Sequence, residues 1–163
     1  MENQEINIFI VDDDKFIVTS LKHFIQNRFK FGVKVSTFYD GESCLKKVDK
    51  KTDIVILDYF MEGKNGLETL KAIKMINPKT EVVMLSNNED ISLALETFRA
   101  GAKDFVMKGR GSSEKIIGFI DYLITKPIRF IAREFGVSKI MAIFLFTFAM
   151  MAAVVLCAME VIK

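Results

Sequence analysis

Four apolar runs in this chain each stop on a side chain able to do chemistry. Ile6 to Val11 runs into Asp12-Asp13, Asp53 to Leu57 into Asp58, Glu81 to Leu85 into Ser86, and Asp104 to Met107 into Lys108. Short runs of β-branched and large apolar residues, separated by stretches with helical spacing, read as strands buried on both faces of a parallel sheet. In an open α/β sheet the working crevice lies beyond the carboxyl ends of the strands. Three carboxylates, a hydroxyl and an ammonium, distant in sequence, are therefore expected in one place.

The segments between the runs complete the pattern. Lys15 to Lys30 predicts a helix with Phe16, Ile17, Leu21, Phe24, Ile25 and Phe29 as its apolar stripe, and Val33 to Phe38 a further strand. Gly41 to Val48 predicts a short surface helix carrying Cys44. A loop at Glu62 to Gly66 precedes a helix that stops near Asn77-Pro78, and Glu89 to Arg99 forms another, closed by Ala100-Gly101. After the last strand, Ser112 and Ser113 are candidate N-caps of a fifth helix. Its buried face is Ile116, Ile117, Ile120, Leu123 and Ile124, and Lys126-Pro127 is expected to break it. The result is an α/β domain over residues 1–125, a doubly wound (βα)5 parallel sheet of five strands.

The end of the chain is different in kind. Ile140 to Met159 contains no charged residue, and Thr147 is its one clearly polar side chain. As a helix those residues span ~30 Å, the hydrocarbon thickness of a bilayer, so residues 140–160 are expected to form a transmembrane helix. Residues 126–139 form a basic juxtamembrane connector, with Lys126, Arg129, Arg133 and Lys139 ahead of the span and Lys163 after it. That asymmetry predicts a single-pass membrane protein with its globular part in the cytoplasm. Ile128, Phe130, Ile131 and Phe135 beside these cations suit an anionic leaflet. The start of the chain lacks a secretory signal, and Cys44 and Cys157 have no means of pairing within one chain, which fits a reducing compartment.

Charge narrows the partners. With 23 Lys and Arg against 21 Asp and Glu, a net charge of +2, and no basic helix in the globular part, nucleic acid is not expected. His23, the sole histidine, falls on the first helix as a surface residue. Like charges ~4 Å apart repel by ~4 kcal/mol at an effective dielectric near 20, so clustered carboxylates need a cation or a proton. Carboxylate, carbonyl and water oxygens suit Mg²⁺.

Taken in order, Ile10-Val11-Asp12-Asp13-Asp14, Leu57-Asp58-Tyr59-Phe60-Met61 with Gly66, Leu85-Ser86, and Ala100 through Lys108 resemble the receiver domain of two-component response regulators, of the stand-alone CheY-like kind. The resemblance covers about residues 5–125 and implies a flavodoxin-like fold. It makes Asp58 the phosphoacceptor, with Asp12, Asp13, Asp58 and the backbone carbonyl of Phe60 holding Mg²⁺. Lys108 then pairs with the acceptor and Ser86 with a phosphoryl oxygen, while Ser86 and Phe105 form the switch. Phe105, Phe119 and Tyr122 are candidates for the output surface. A flavodoxin-like nucleotide binder would need a loop of backbone donors where this crevice has carboxylates.

The partners so implied are a sensor histidine kinase or histidine phosphotransfer protein, a membrane-associated output protein, the lipid bilayer and a second copy in a homodimer. The domain is then a phosphoacceptor rather than an enzyme, acting only in its own phosphorylation and dephosphorylation. Three positions depart from the family pattern: Glu62 and Gly109 stand where proline is usual, and Asn87 where alanine or glycine is usual. With Phe60, Asn87 suggests slow loss of phosphate. The rival readings are a phosphorylation-independent membrane-bound adaptor and a phosphorelay intermediate.

Overall fold

The computed structural model describes residues 5–30, 32–134 and 139–161, with side chains described for 5–30, 32–125, 141 and 143–154. It divides into two units, Met1–Ile117 and Gly118–Lys163. In the first, β1 (Ile6–Val11), β2 (Val33–Phe38), β3 (Thr52–Asp58), β4 (Glu81–Ser86) and β5 (Asp104–Met107) pair in parallel in the order β2-β1-β3-β4-β5. Helices α1 (Lys15–Arg28), α2 (Gly41–Leu45), α3 (Gly66–Ile76) and α4 (Ile91–Arg99) connect them. The order reverses at β1, which has β2 on one side and β3 on the other. The ends of β1 and β3 therefore flank the topological switch point, where such sheets form their crevice.

The central strands β1, β3 and β4 are largely apolar because both their faces are covered. Phe9, Val11, Val55, Leu57, Val82 and Met84 join Leu67, Leu70 and Ile73 of α3 in one buried cluster. The alternate positions Ile8, Ile10, Ile54, Ile56, Val83 and Leu85 are also buried, on the opposite face. Cys44 belongs to the first cluster and is fully buried, so the surface placement expected of it is corrected: α2 turns Cys44 inward. Burial pushes its thiol up to about 12.

Caps explain the helix boundaries. Asp14 accepts from Phe16 N–H at 2.8 Å and Ile17 N–H at 3.4 Å, starting α1 at Lys15. With that phase the buried stripe of α1 is Val18, Leu21 and Ile25, whereas Phe16 and Phe24 are exposed, contrary to the stripe read from spacing. His23 is exposed, as expected, and pairs with Asn27. Asp40, Asn65 and Asp90 cap α2, α3 and α4 through Ser43, Glu68 and Ser92 N–H groups.

Helix α5 (Ser112–Glu134) differs from expectation at both ends. Ser112 already lies in the helix, and its hydroxyl donates to Gly109 O at 2.8 Å instead of capping. At the other end Pro127 does not stop it. Proline removes one N–H and crowds the carbonyl four residues back, but the helix-forming residues on both sides carry the backbone through. Ile116, Ile117 and Ile120 are buried and Leu123 and Ile124 half-buried.

The second unit holds the rest of α5 and helix α6 (Lys139–Val161). Residues 126–134 of the expected connector are helical, and 135–138 lie outside the described residues, Phe135 among them. In α6, residues 143–154 present exposed side chains, Phe144, Phe148 and Met151 the most open. Among the described residues no helix is long and apolar enough to cross a membrane. The span expected at 140–160 falls partly on side chains outside the described set and is not shown.

Candidate functional site

Each site residue is placed by the end of a strand. Asp12 follows β1, donates its N–H to Phe38 O of β2 at 3.2 Å, and is fully buried. Its Oδ1 accepts Asp14 N–H at 3.0 Å, a tight turn that sets Asp14 to cap α1. Asp13 is exposed, and its Oδ2 accepts Glu62 N–H at 3.4 Å, tying the β3–α3 loop to the end of β1. Asp58 ends β3. The next residue continues the pairing, Tyr59 N–H donating to Leu85 O at 2.8 Å, and Gly66 N–H returns to Tyr59 O at 2.9 Å.

Lys108 is fixed by its own N–H to Ser86 O, at 2.8 Å, just past β5. From there Nζ reaches Asp12 Oδ2 at 2.7 Å and Asp58 Oδ2 at 2.9 Å. One carboxylate oxygen from each of Asp12, Asp13 and Asp58 lies within 4.8 Å of the others. The structure thus brings together four of the residues singled out by sequence. Ser86 lies on the adjacent strand end, fully buried, with its hydroxyl engaged by its own loop: it accepts Asn88 N–H at 2.9 Å and donates to Asn88 O at 3.3 Å. Phe105 is half-buried against the core cluster, and its N–H is held by Asp104. Phe119 is half-buried and Tyr122 exposed on α5.

Burial drives the electrostatics. It pushes the Asp58 carboxyl up to about 6, with Lys108 pulling down and Asp12 pushing further up. At Lys108 burial acts to lower the ammonium, and contact with Asp12 and Asp58 overcomes it, so the net shift is upward. One ammonium against three carboxylates leaves an excess of negative charge. Among the described residues Asp58 Oδ1 is buried without a hydrogen-bond partner. Asp12 Oδ2, also buried, makes only the ion pair. An orphaned carboxylate oxygen facing two neighbours of like charge fits a hard divalent cation bound through oxygen.

Beside the carboxylates, Asp13, Tyr59, Phe60, Met61, Glu62 and Asn65 line an open cleft of about 420 Å³. Phe60 is half exposed there, its ring set edge-on to Tyr59 with centroids 4.8 Å apart. Two contributors escape the sequence reading. Asn88 is one; its signal is the local Ser-x-Asn turn, invisible until the backbone direction is known. The other is the close packing of Gly66 on the Asp58 carbonyl: the residue belongs to the quoted motif, but nothing in the spacing shows that contact.

The sequence matches the response regulator receiver domain over residues 8–120. The chain belongs to this family. Receivers of this kind bind Mg²⁺ through acidic residues and meet histidine kinases or phosphotransfer proteins. Among relatives, the transcriptional regulatory protein ZraR of Klebsiella oxytoca is 32% identical over 109 residues, 66% of this chain and 24% of that protein. CpxR of Escherichia coli strain K12, also a transcriptional regulatory protein, is 36% identical over 104 residues, 62% of this chain and 42% of the relative. The chain thus spans between about a quarter and two fifths of these relatives. Among solved structures, a CheX–CheY–BeF3–Mg complex from Borrelia burgdorferi matches with a TM-score of 0.65 and 27% identity, over 73% of this chain and 89% of that one.

Proposed function

We propose that this receiver accepts a phosphoryl group on Asp58 in a Mg²⁺-dependent reaction, and that residues 140–160 tether it to a membrane. The observation carrying the first part is the cluster of Asp12, Asp13 and Asp58 carboxylates bridged by Lys108. At neutral pH, above the value of about 6, Asp58 is mainly ionised and nucleophilic.

A carboxylate oxygen of Asp58 attacks the phosphorus of a phosphohistidine or a small acyl phosphate. The new O–P bond forms as the P–N or P–O bond to the donor breaks, and the leaving atom keeps the electron pair. Lys108 holds the carboxylates in place and offers its ammonium to a phosphoryl oxygen. Asp12, Asp13, Asp58 and the Phe60 carbonyl would hold Mg²⁺, which supplies positive charge against the carboxylates and the incoming oxygens. Positioning and charge neutralisation are the usual means of phosphoryl transfer. The Ser86 hydroxyl then leaves Asn88 for the phosphoryl group, and Phe105 turns on β5.

Support for the tether comes from the uncharged stretch Ile140 to Met159 and from the exposed apolar side chains of α6. The signal then passes by protein contact or onward phosphotransfer to a membrane-associated partner. Incubation of the full chain with a small phosphodonor, with and without Mg²⁺ and beside Asp58→Asn, tests the site. Incorporation needing both Mg²⁺ and Asp58 supports the reading; none in a folded chain favours the phosphorylation-independent adaptor, to which Glu62, Asn87 and Gly109 would belong. Resistance of the chain to alkaline extraction from membranes tests the tether, and full release would remove it.

A further inference from the structure

Beside β1 and β2 lies a second concavity, whose lining includes none of Asp12, Asp13 and Asp58. Helix α2 ends at Leu45 after five residues, so it covers only part of the sheet face above β1 and β2. The loop of residues 46–51 borders the rest. What remains is a cleft of about 420 Å³ whose lining includes Asn7, Phe9, Lys34, Ser36, Lys47 and Lys51. Asn7 pairs with Lys34 and Phe9 with Ser36 across β1 and β2, so these side chains share one face.

Positive charge predominates in the lining of this cleft. Lys34, Lys47 and Lys51 are exposed at its rim, and none forms an ion pair among the described residues. Against these three cations the lining holds one carboxylate, Asp49. Its Oδ1 accepts Lys51 N–H at 2.9 Å and Thr52 Oγ1–H at 3.1 Å, closing the loop. Three ammoniums against one carboxylate therefore surround a concave floor that also carries the hydroxyl of Ser36 and the ring of Phe9. The volume lies within the range of small-ligand sites.

We infer that this cleft binds a compact, multiply charged phosphate anion, held by Lys34, Lys47 and Lys51. Lysine serves phosphate as a point charge, and the Ser36 hydroxyl adds a donor. The phosphate can come from a soluble diphosphate or from a lipid headgroup. This inference does not rest on phosphorylation of Asp58.

The test is chemical footprinting on the full chain without divalent cations. Amine acetylation is followed residue by residue while inorganic pyrophosphate is added at constant ionic strength, and separately with phosphatidylcholine vesicles with or without phosphatidylglycerol. Saturable slowing by several-fold at Lys34, Lys47 and Lys51, with exposed Lys71 and Lys79 unchanged, supports the site. Pyrophosphate protection identifies a soluble ligand, and protection by phosphatidylglycerol vesicles alone a headgroup. The double variant Lys47→Gln, Lys51→Gln, with an unaltered melting temperature, should lose protection at Lys34. Absent or equal protection at all lysines, or protection at Lys34 surviving the double substitution, overturns the inference.

Discussion

The Ser86 hydroxyl and the Asn88 backbone close on each other, Oγ accepting the Asn88 N–H at 2.9 Å and donating to its carbonyl at 3.3 Å. The hydroxyl assigned to the phosphoryl group is therefore engaged before any phosphate arrives. Ser86→Ala should cost about 0.5–1.5 kcal/mol in denaturant unfolding, as the Asn88 amide loses its acceptor. It should also slow phosphorylation. On binding beryllofluoride, the Asn88 amide resonance of the unsubstituted chain should move while core amides such as Ile56 stay put; an unmoved Asn88 would separate the loop from the site.

Gly66 has a steric reason to be glycine. A Cβ there would fall 2.1 Å from Asp58 O and 2.7 Å from Tyr59 Cα, both backbone atoms unable to swing aside. Gly66→Ala should therefore lower stability by about 1–3 kcal/mol, the range for overpacking. Phosphorylation should fall with it, because relief must come from moving the acceptor's peptide. Wild-type rates in Gly66→Ala would show that α3 can shift alone.

Asp58 makes the cation-free domain pH-sensitive. Its folded value of about 6 lies above the ordinary 3.8, so between these the folded state holds more protons than the unfolded. Stability then falls as pH rises: the contribution is full below 3.8 and lost as pH passes through 6. In chelator, melting temperature should drop from pH 5 to pH 7.5 by more in the unsubstituted chain than in Asp58→Asn. Added Mg²⁺ should reverse the loss. Parallel pH curves for the two chains would refute the assignment.

Lys108→Ala should separate metal binding from chemistry. Removing the ammonium leaves Asp12 and Asp58 buried and unpaired, which in the absence of a cation costs about 3–5 kcal/mol. The same excess charge should tighten Mg²⁺ in calorimetric titration while phosphorylation slows by orders of magnitude. Weaker Mg²⁺ binding would mean that the lysine orders the carboxylates more than it repels the ion.

The sheet was readable because its evidence is redundant: β2 and β5 have the predicted bounds, β4 gains only Ser86, and the apolar runs of β3 and β4 reflect packing on both faces. Asp12, Asp13, Asp58 and Lys108 converge because strand ends in a parallel sheet converge. Helix phase was harder. Phe16 and Phe24 look like core by hydrophobicity, yet the Asp14 cap turns Val18 inward and leaves them in solvent. Pro127 was read as a stop, whereas one lost hydrogen bond is a local cost that flanking turns absorb. The direction of the Ser86 hydroxyl depends on a turn only three residues long, which spacing cannot encode.

The clamped peptide of Asp58 decides where a signal can leave. With Tyr59 N–H bonded to Leu85 O and Gly66 pressed on the Asp58 carbonyl, the acceptor has no room to recoil. A new charge on its side chain meets a rigid floor. Motion must therefore appear in what is held only by bonds within its own loop: the Ser86–Asn88 turn and the helix that Asp90 caps just beyond it. The anvil stays still, and the loop beside it takes the blow.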